Sequence, residues 1–258
     1  MTEPKPLVPN PEPTYEDNWR ELWRILTAVM GIVALILLCG GFFMPTLGGH
    51  GGASRRASSM NNLKQVGLAI QLKANSDPRY RMPPVAIVDE AGNPLLSWRV
   101  LLLPEFDRPD LLEKFDLTKP WDSPENLPLI EQMPDIFASP YDRGSAREGK
   151  TPYKAITPDS SEWSTAWGQP GQRMRMNQFK DGQSQTMMVV EDLTDPVVWT
   201  KPEDITPSQY LKTIDHGEWS SKSFLVAFAD GSVQMFIDPT AEEIQPMLYA
   251  DDGKVAKK

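Results

Sequence analysis

Residues 223–237 read SFLVAFADGSVQMFI, two apolar runs broken by Asp230-Gly231. Asp-Gly between alternating apolar residues signals a tight hairpin, because a two-residue type I′ turn needs positive φ at both central positions and these two residues tolerate it. Phe224, Val226 and Phe228 then share one face of the first strand, answered by Val233 and either Met235 or Ile237 from the second. The alternate residues fill the other face. Residues 151–156 and 186–191 are further strand candidates, so the second half of the chain reads as an antiparallel sheet. Between them, residues 157–177 are rich in Ser, Pro, Gly and Gln and read as a long loop holding Trp163 and Trp167.

The flanks of this sheet read as helices. After the hairpin, Thr240 and Glu243 form a capping box for a short helix carrying Ile244, Met247 and Leu248, which Pro246 shortens. Upstream, Met60, Leu63, Val66, Gly67 and Ile70 recur at helical spacing, predicting a helix over 58–74 with Ser58 or Ser59 as its N-cap. Residues 85–88 read as a strand and 89–93, with Gly92, as its turn. The apolar run 95–103 leaves helix and strand open, with a helix favoured over 98–103. A second short helix follows Asp107 and Pro109, with Leu111, Leu112 and Phe115 on one face.

The chain has 258 residues, of which 40% are apolar, so it can bury a core. Twenty-five prolines favour short elements joined by ordered loops. Its net charge of −9 argues against nucleic acid as a partner, since phosphate binding needs a basic surface. One cysteine excludes an internal disulfide, and two histidines leave little for an imidazole-based metal site.

Residues 25–44, ILTAVMGIVALILLCGGFFM, carry no charge over twenty positions. At about 1.5 Å per residue this run matches a hydrocarbon core of about 30 Å. A single transmembrane helix over 25–45 is therefore expected, with the lipid bilayer as its partner. Trp19, Trp23, Arg20 and Arg24 stand at one end as an interfacial anchor, and Pro45 closes the other. A cleaved signal peptide is the rival reading, but its apolar stretch runs only to about 15 residues. Residues 1–24 read as a disordered Pro-rich tail and 46–57 as a Gly-rich linker, leaving 58–258 as one α+β domain. A short tail before the span and a large domain after it place the tail inside and the domain outside the cytoplasm.

Five segments in order, RRASSMNNLKQVGLAIQ, SWRVLLLPEFDRPDLLEKFDLTKPWDSPEN, KDGQSQTMMVVED, VVWTKPED and FLVAFADGSVQMF, resemble a bacterial family called domain of unknown function 1559. The resemblance spans about residues 55–254. It implies a pseudopilin-like, extracytoplasmic protein: a membrane helix followed by a pilin-like domain with a helix packed on an antiparallel sheet. The family's prepilin cleavage signal is missing, for Gly41-Phe42-Phe43-Met44-Pro45 lies at the wrong end of the apolar run and lacks its Glu. The family's C-terminal signature, a His followed by Asp-Gly, falls on His216, Asp230 and Gly231. Thirteen residues separate His216 from Asp230, which stretches the family's interval.

His216 beside Asp215 or Asp230 suggests acid-base chemistry, but no nucleophile motif, zinc motif or phosphate loop accompanies it. It reads as a structural residue at a strand entry. Asp181-Gly182-Gln183-Ser184 and Asp230-Gly231-Ser232 lack the alternating carboxylates of a calcium loop and read as turns. Trp98, Trp121 and Trp199 read as packing residues. The sequence thus predicts no catalytic centre, metal or cofactor. It predicts a membrane-anchored structural or interaction protein that engages protein partners or assembles with itself. A hydrolase or ligand-binding domain on the same anchor is the alternative.

Overall fold

The computed structural model describes residues 19, 22–31, 50–159, 164–215 and 223–253. Residues 22–31 are helical with exposed side chains. The rest of the expected span lies outside the described residues, and among the described residues no helix is long and apolar enough to cross a membrane. The tail over 1–18 and His216 also lie outside them. The chain divides into two units, Met1–Gly51 and Gly52–Lys258, and the second holds the α+β domain.

The long helix α1 (His50–Ser76) starts eight residues before the expected Ser58. The Gly-rich linker over 46–57 is corrected accordingly, with 50–57 helical. A helical Gly costs only about 1 kcal/mol relative to Ala, and Ala53, Arg55, Arg56 and Ala57 are favourable enough to carry the helix through Gly51 and Gly52. Ser59 is therefore no cap. It sits mid-helix, fully buried, at the head of an apolar stripe of Leu63, Val66, Ala69, Ile70 and Ala74.

This stripe packs on a four-stranded antiparallel sheet. Its strands are β4 (Tyr153–Ala155), β5 (Met187–Glu191), β7 (Ser223–Phe228) and β8 (Val233–Ile237), paired in the order β4-β5-β7-β8. Leu225 and Ala227 face the α1 side, in one core with Leu63, Val66 and Ile70. Phe224, Val226 and Phe228 face a second core with Tyr210, Ile244 and Leu248. Phe236, opposite Phe224, joins them from β8, while Val233 and Met235 pack on the α1 side, which corrects the facing expected for the second strand. That second layer comes from α5 (Pro207–Asp215), which the sequence reading missed, and α6 (Ala241–Ile244), capped by Thr240 and Glu243 as expected. Both faces of the sheet are thus covered, while β8 has no further strand beside it among the described residues and Ile237 is 68% exposed.

The smaller elements fill in around this frame. Strands β1 (Ala86–Val88) and β2 (Pro94–Ser97) form a hairpin, so the open run 95–103 begins as strand and turns helical only at α2 (Trp98–Leu101), capped by Ser97. Helix α3 (Pro109–Leu112) follows as predicted, and α4 (Arg143–Arg147) is capped by Asp142. The strand expected over 151–156 splits at Pro152 into β3 (Lys150–Thr151) and β4; β3 pairs with β6 (Val197–Val198). Proline has no N–H to continue a ladder.

The β7-β8 turn corrects the type I′ expectation. Only Gly231 has positive φ, at 81°, and Asp230 does not. Phe228 donates its N–H to Ser232 O at 2.9 Å, and Gly231 N–H donates to Phe228 O at 2.9 Å. The loop is therefore three residues, Ala229 to Gly231, a type I turn closed by a glycine bulge. The extra residue lets the turn lie against α1: a Cβ placed on Gly67 would sit 3.4 Å from Gly231 Cα, and Gln71 Nε2 donates to Ala229 O.

Candidate functional site

Among the described residues Asp230 and Gly231 form no site, and His216 lies outside those residues. Asp230 Oδ1 accepts from Ser232 N–H at 2.9 Å and Ser232 Oγ at 2.6 Å, a local turn contact on the surface. Gly231 is buried against α1 and serves docking of the hairpin. Asp181 lies near Asp251 and Asp252, and burial, then the charge of Asp252, raises its pKa. Among the described residues no group of three acids, His or Cys is placed to hold a metal ion. Trp98 and Trp199 are fully buried, and their indole N–H groups donate to Asp204 Oδ1 and Ile130 O. Trp121 is partly buried, with Lys201 Nζ 5.6 Å from its ring centre.

Three polar clusters that the sequence reading did not single out lie inside the domain. Arg99 on α2 is fully buried. It donates from Nη2 to Asp204 Oδ1 at 2.8 Å, from Nε and Nη2 to Tyr153 O at 3.0 and 2.6 Å, and from Nη1 to Ser97 Oγ at 2.6 Å. Asp204 also accepts from Ala155 N–H at 2.7 Å. This hub ties α2 to the edge strand β4. Lys154, pointing the other way along β4, meets Asp192 at 3.0 Å and Asp195 at 3.2 Å.

The third cluster has no cation among the described residues. Glu191 ends β5 and is 3% exposed. Its Oε1 accepts from Ser59 Oγ on α1 and from Ser139 Oγ at 2.8 Å, and Ser59 Oγ lies 3.1 Å from Tyr153 OH. Asn62, also on α1, holds the Ser139 segment by donating to Ala138 O at 3.0 Å. Burial raises the Glu191 pKa, and the two serine hydroxyls oppose that rise. Burial, and then the charge of Glu191, raises the Tyr153 pKa.

Glu191 forms part of the floor of a cleft of about 420 Å³ between the first turns of α1 and the sheet. Among the described residues Oε2 makes no hydrogen bond, and it is not sealed away as a buried orphan atom, so it opens on that cleft. Leu193, Leu225 and Met235 supply apolar walls; Arg56 and Asp142 stand at the mouth. Asp142 is committed to capping α4 through Ser145 N–H at 3.0 Å. Arg56 makes no ion pair among the described residues. A buried acid in a partly apolar cleft is the combination that marks binding sites. Ser59 and Glu191 are 132 positions apart, and no local pattern announces such a pair.

Neither the curated proteins nor the solved structures include a match to this chain. A family model described as a protein of unknown function (DUF1559) matches residues 52–223, from the first turns of α1 to the first residue of β7. It therefore takes in Ser59, Ser139, Tyr153 and Glu191, and it stops short of Asp230-Gly231. The match covers more than half of the chain and agrees with the segments RRASSMNNLKQVGLAIQ and KDGQSQTMMVVED that carry the resemblance. The chain belongs to the DUF1559 family of proteins of unknown function.

Proposed function

We propose that the protein is a single-pass, membrane-anchored, pseudopilin-like protein of the bacterial envelope, with its domain outside the cytoplasm, working by interaction and not by catalysis. The observation that carries this reading is α1, a 27-residue helix laid by one stripe on an antiparallel sheet. That is the helix-on-sheet arrangement of a pilin-like domain, and the uncharged run at 25–44 stands just ahead of it. The edge of β8, which has no further strand beside it among the described residues, supports an interaction role, since an open strand presents its N–H and C=O groups to a partner or a second copy. The test is fractionation of the full chain. An anchored protein stays in the membrane through carbonate and high-salt washes, and protease added to spheroplasts removes the domain while sparing residues 1–24. Release of a soluble form beginning near Ala53 sinks the anchor, and protection of the domain sinks the orientation. The open cleft over Glu191 favours a second reading, a ligand-binding domain on the same anchor.

A further inference from the structure

We infer that the Glu191 cleft binds a small zwitterion with an apolar side chain, the chemistry of a free aliphatic α-amino acid. This rests on the ligand-binding reading of the cleft. The carboxylate at the floor is fixed by two neutral hydroxyl donors on Oε1, which leaves its other oxygen for a ligand. An ammonium group suits it: the ion pair that forms supplies the charge compensation that Ser59 and Ser139 do not. Arg56 precedes Ser59 by three residues, so the two share a face of α1 about one turn apart. The mouth of the cleft therefore carries a guanidinium that no protein carboxylate engages among the described residues, suited to bidentate capture of a ligand carboxylate. Leu193, Leu225 and Met235 then face the ligand's side chain. Arg56 and the carboxylates Glu191 and Asp142 put both signs of charge in one lining, so each charge of a small zwitterion meets an opposite one there.

Calorimetry on the full chain in detergent tests this with three probes of nearly equal shape: L-leucine, leucinamide without the carboxylate, and 4-methylpentanoate without the ammonium. L-Leucine is expected to bind saturably, with the other two weaker by about tenfold or more. Arg56→Gln, an exposed position, keeps the melting curve and brings leucine down to the level of leucinamide, whose own binding does not change. Glu191→Gln brings leucine down to the level of 4-methylpentanoate. Should that variant unfold, the Arg56→Gln comparison still decides. Equal affinity for the three probes, or leucine binding unmoved by Arg56→Gln, overturns the zwitterion assignment. Preference for a singly charged probe also overturns it and leaves the cleft a ligand site. No saturable binding of any probe up to about 10 mM overturns the assignment and the ligand-binding reading together, without touching the membrane anchor.

Discussion

Asp204 and Glu191 are both carboxylates with buried side chains beside the same strand, β4, and their surroundings differ in one respect. Asp204 faces the fixed positive charge of Arg99 at 2.8 Å, along with N–H donors from Trp98 and Ala155. Glu191 faces two serine hydroxyls, and its neighbour Asp192 takes Lys154. A compensated charge inside a fold locks elements together and resists change. An uncompensated one that also opens on a cleft is held at a cost to stability, and such costs gather at binding sites. The Arg99 hub holds this domain in shape, and the Glu191 cleft is where it has chemistry to spare.

Removing the charge at the hub is the harshest way to break this comparison. Asp204→Asn leaves Arg99 buried without its counterion and is expected to cost about 3 to 5 kcal/mol in urea unfolding. A loss below about 1 kcal/mol would make the hub dispensable. The β7-β8 turn comes next. Gly231→Val forces a β-branched residue to φ 81° and should cost about 1 to 3 kcal/mol, while Gly231→Asn costs much less. Since the nearest atoms to a Cβ there are Gln71 Cγ at 3.6 Å and Gly67 C and O at 3.9 Å, ordinary van der Waals distances, backbone conformation and not crowding sets the difference. Equal losses for the two variants would contradict the bulged turn.

Glu191→Gln sharpens the contrast through pH. A carboxyl whose pKa is raised on folding binds a proton more readily in the folded state, so wild-type stability falls as pH rises from the ordinary carboxylate range through the raised value. Gln keeps the acceptor for Ser59 and Ser139 and lacks that loss. The stability of the variant relative to wild type should then increase between about pH 4.5 and pH 8, by about 1.4 kcal/mol for each pH unit separating the two values. A difference that does not vary with pH would place Glu191 in water. The smallest effect is at the open edge, where Ile237→Lys should change stability by less than about 0.5 kcal/mol while reducing any cross-linking between copies.

How much of the fold and the site is legible in the sequence depends on range. Features written within a few residues are readable: the β7-β8 hairpin from its two apolar runs about Asp-Gly, though not which face of β8 meets Phe224, α6 from Thr240 and Glu243, α3 from Pro109. The start of α1 is misread because glycines at 51 and 52 look like a linker, although the helix formers after them outweigh the penalty. The turn type is misread because Asp-Gly serves a two-residue loop and a three-residue bulged loop equally well. Helix α5 hides behind Pro207, which opens the helix where its position suggests only a loop. The Glu191 site is invisible for another reason. Its parts come from α1, the Ser139 loop, β4 and β5, and only the packing of α1 on the sheet brings them together.

The most direct test of the difference between the two carboxylates is a carbon-13 NMR titration of the Glu191 side-chain carboxyl in the folded protein. Its midpoint is predicted above the ordinary glutamate range, because burial without a cation favours the protonated form. A midpoint at or below that range would mean that solvent or an unrecognised positive charge already compensates Glu191, and the cleft would not hold an uncompensated acid.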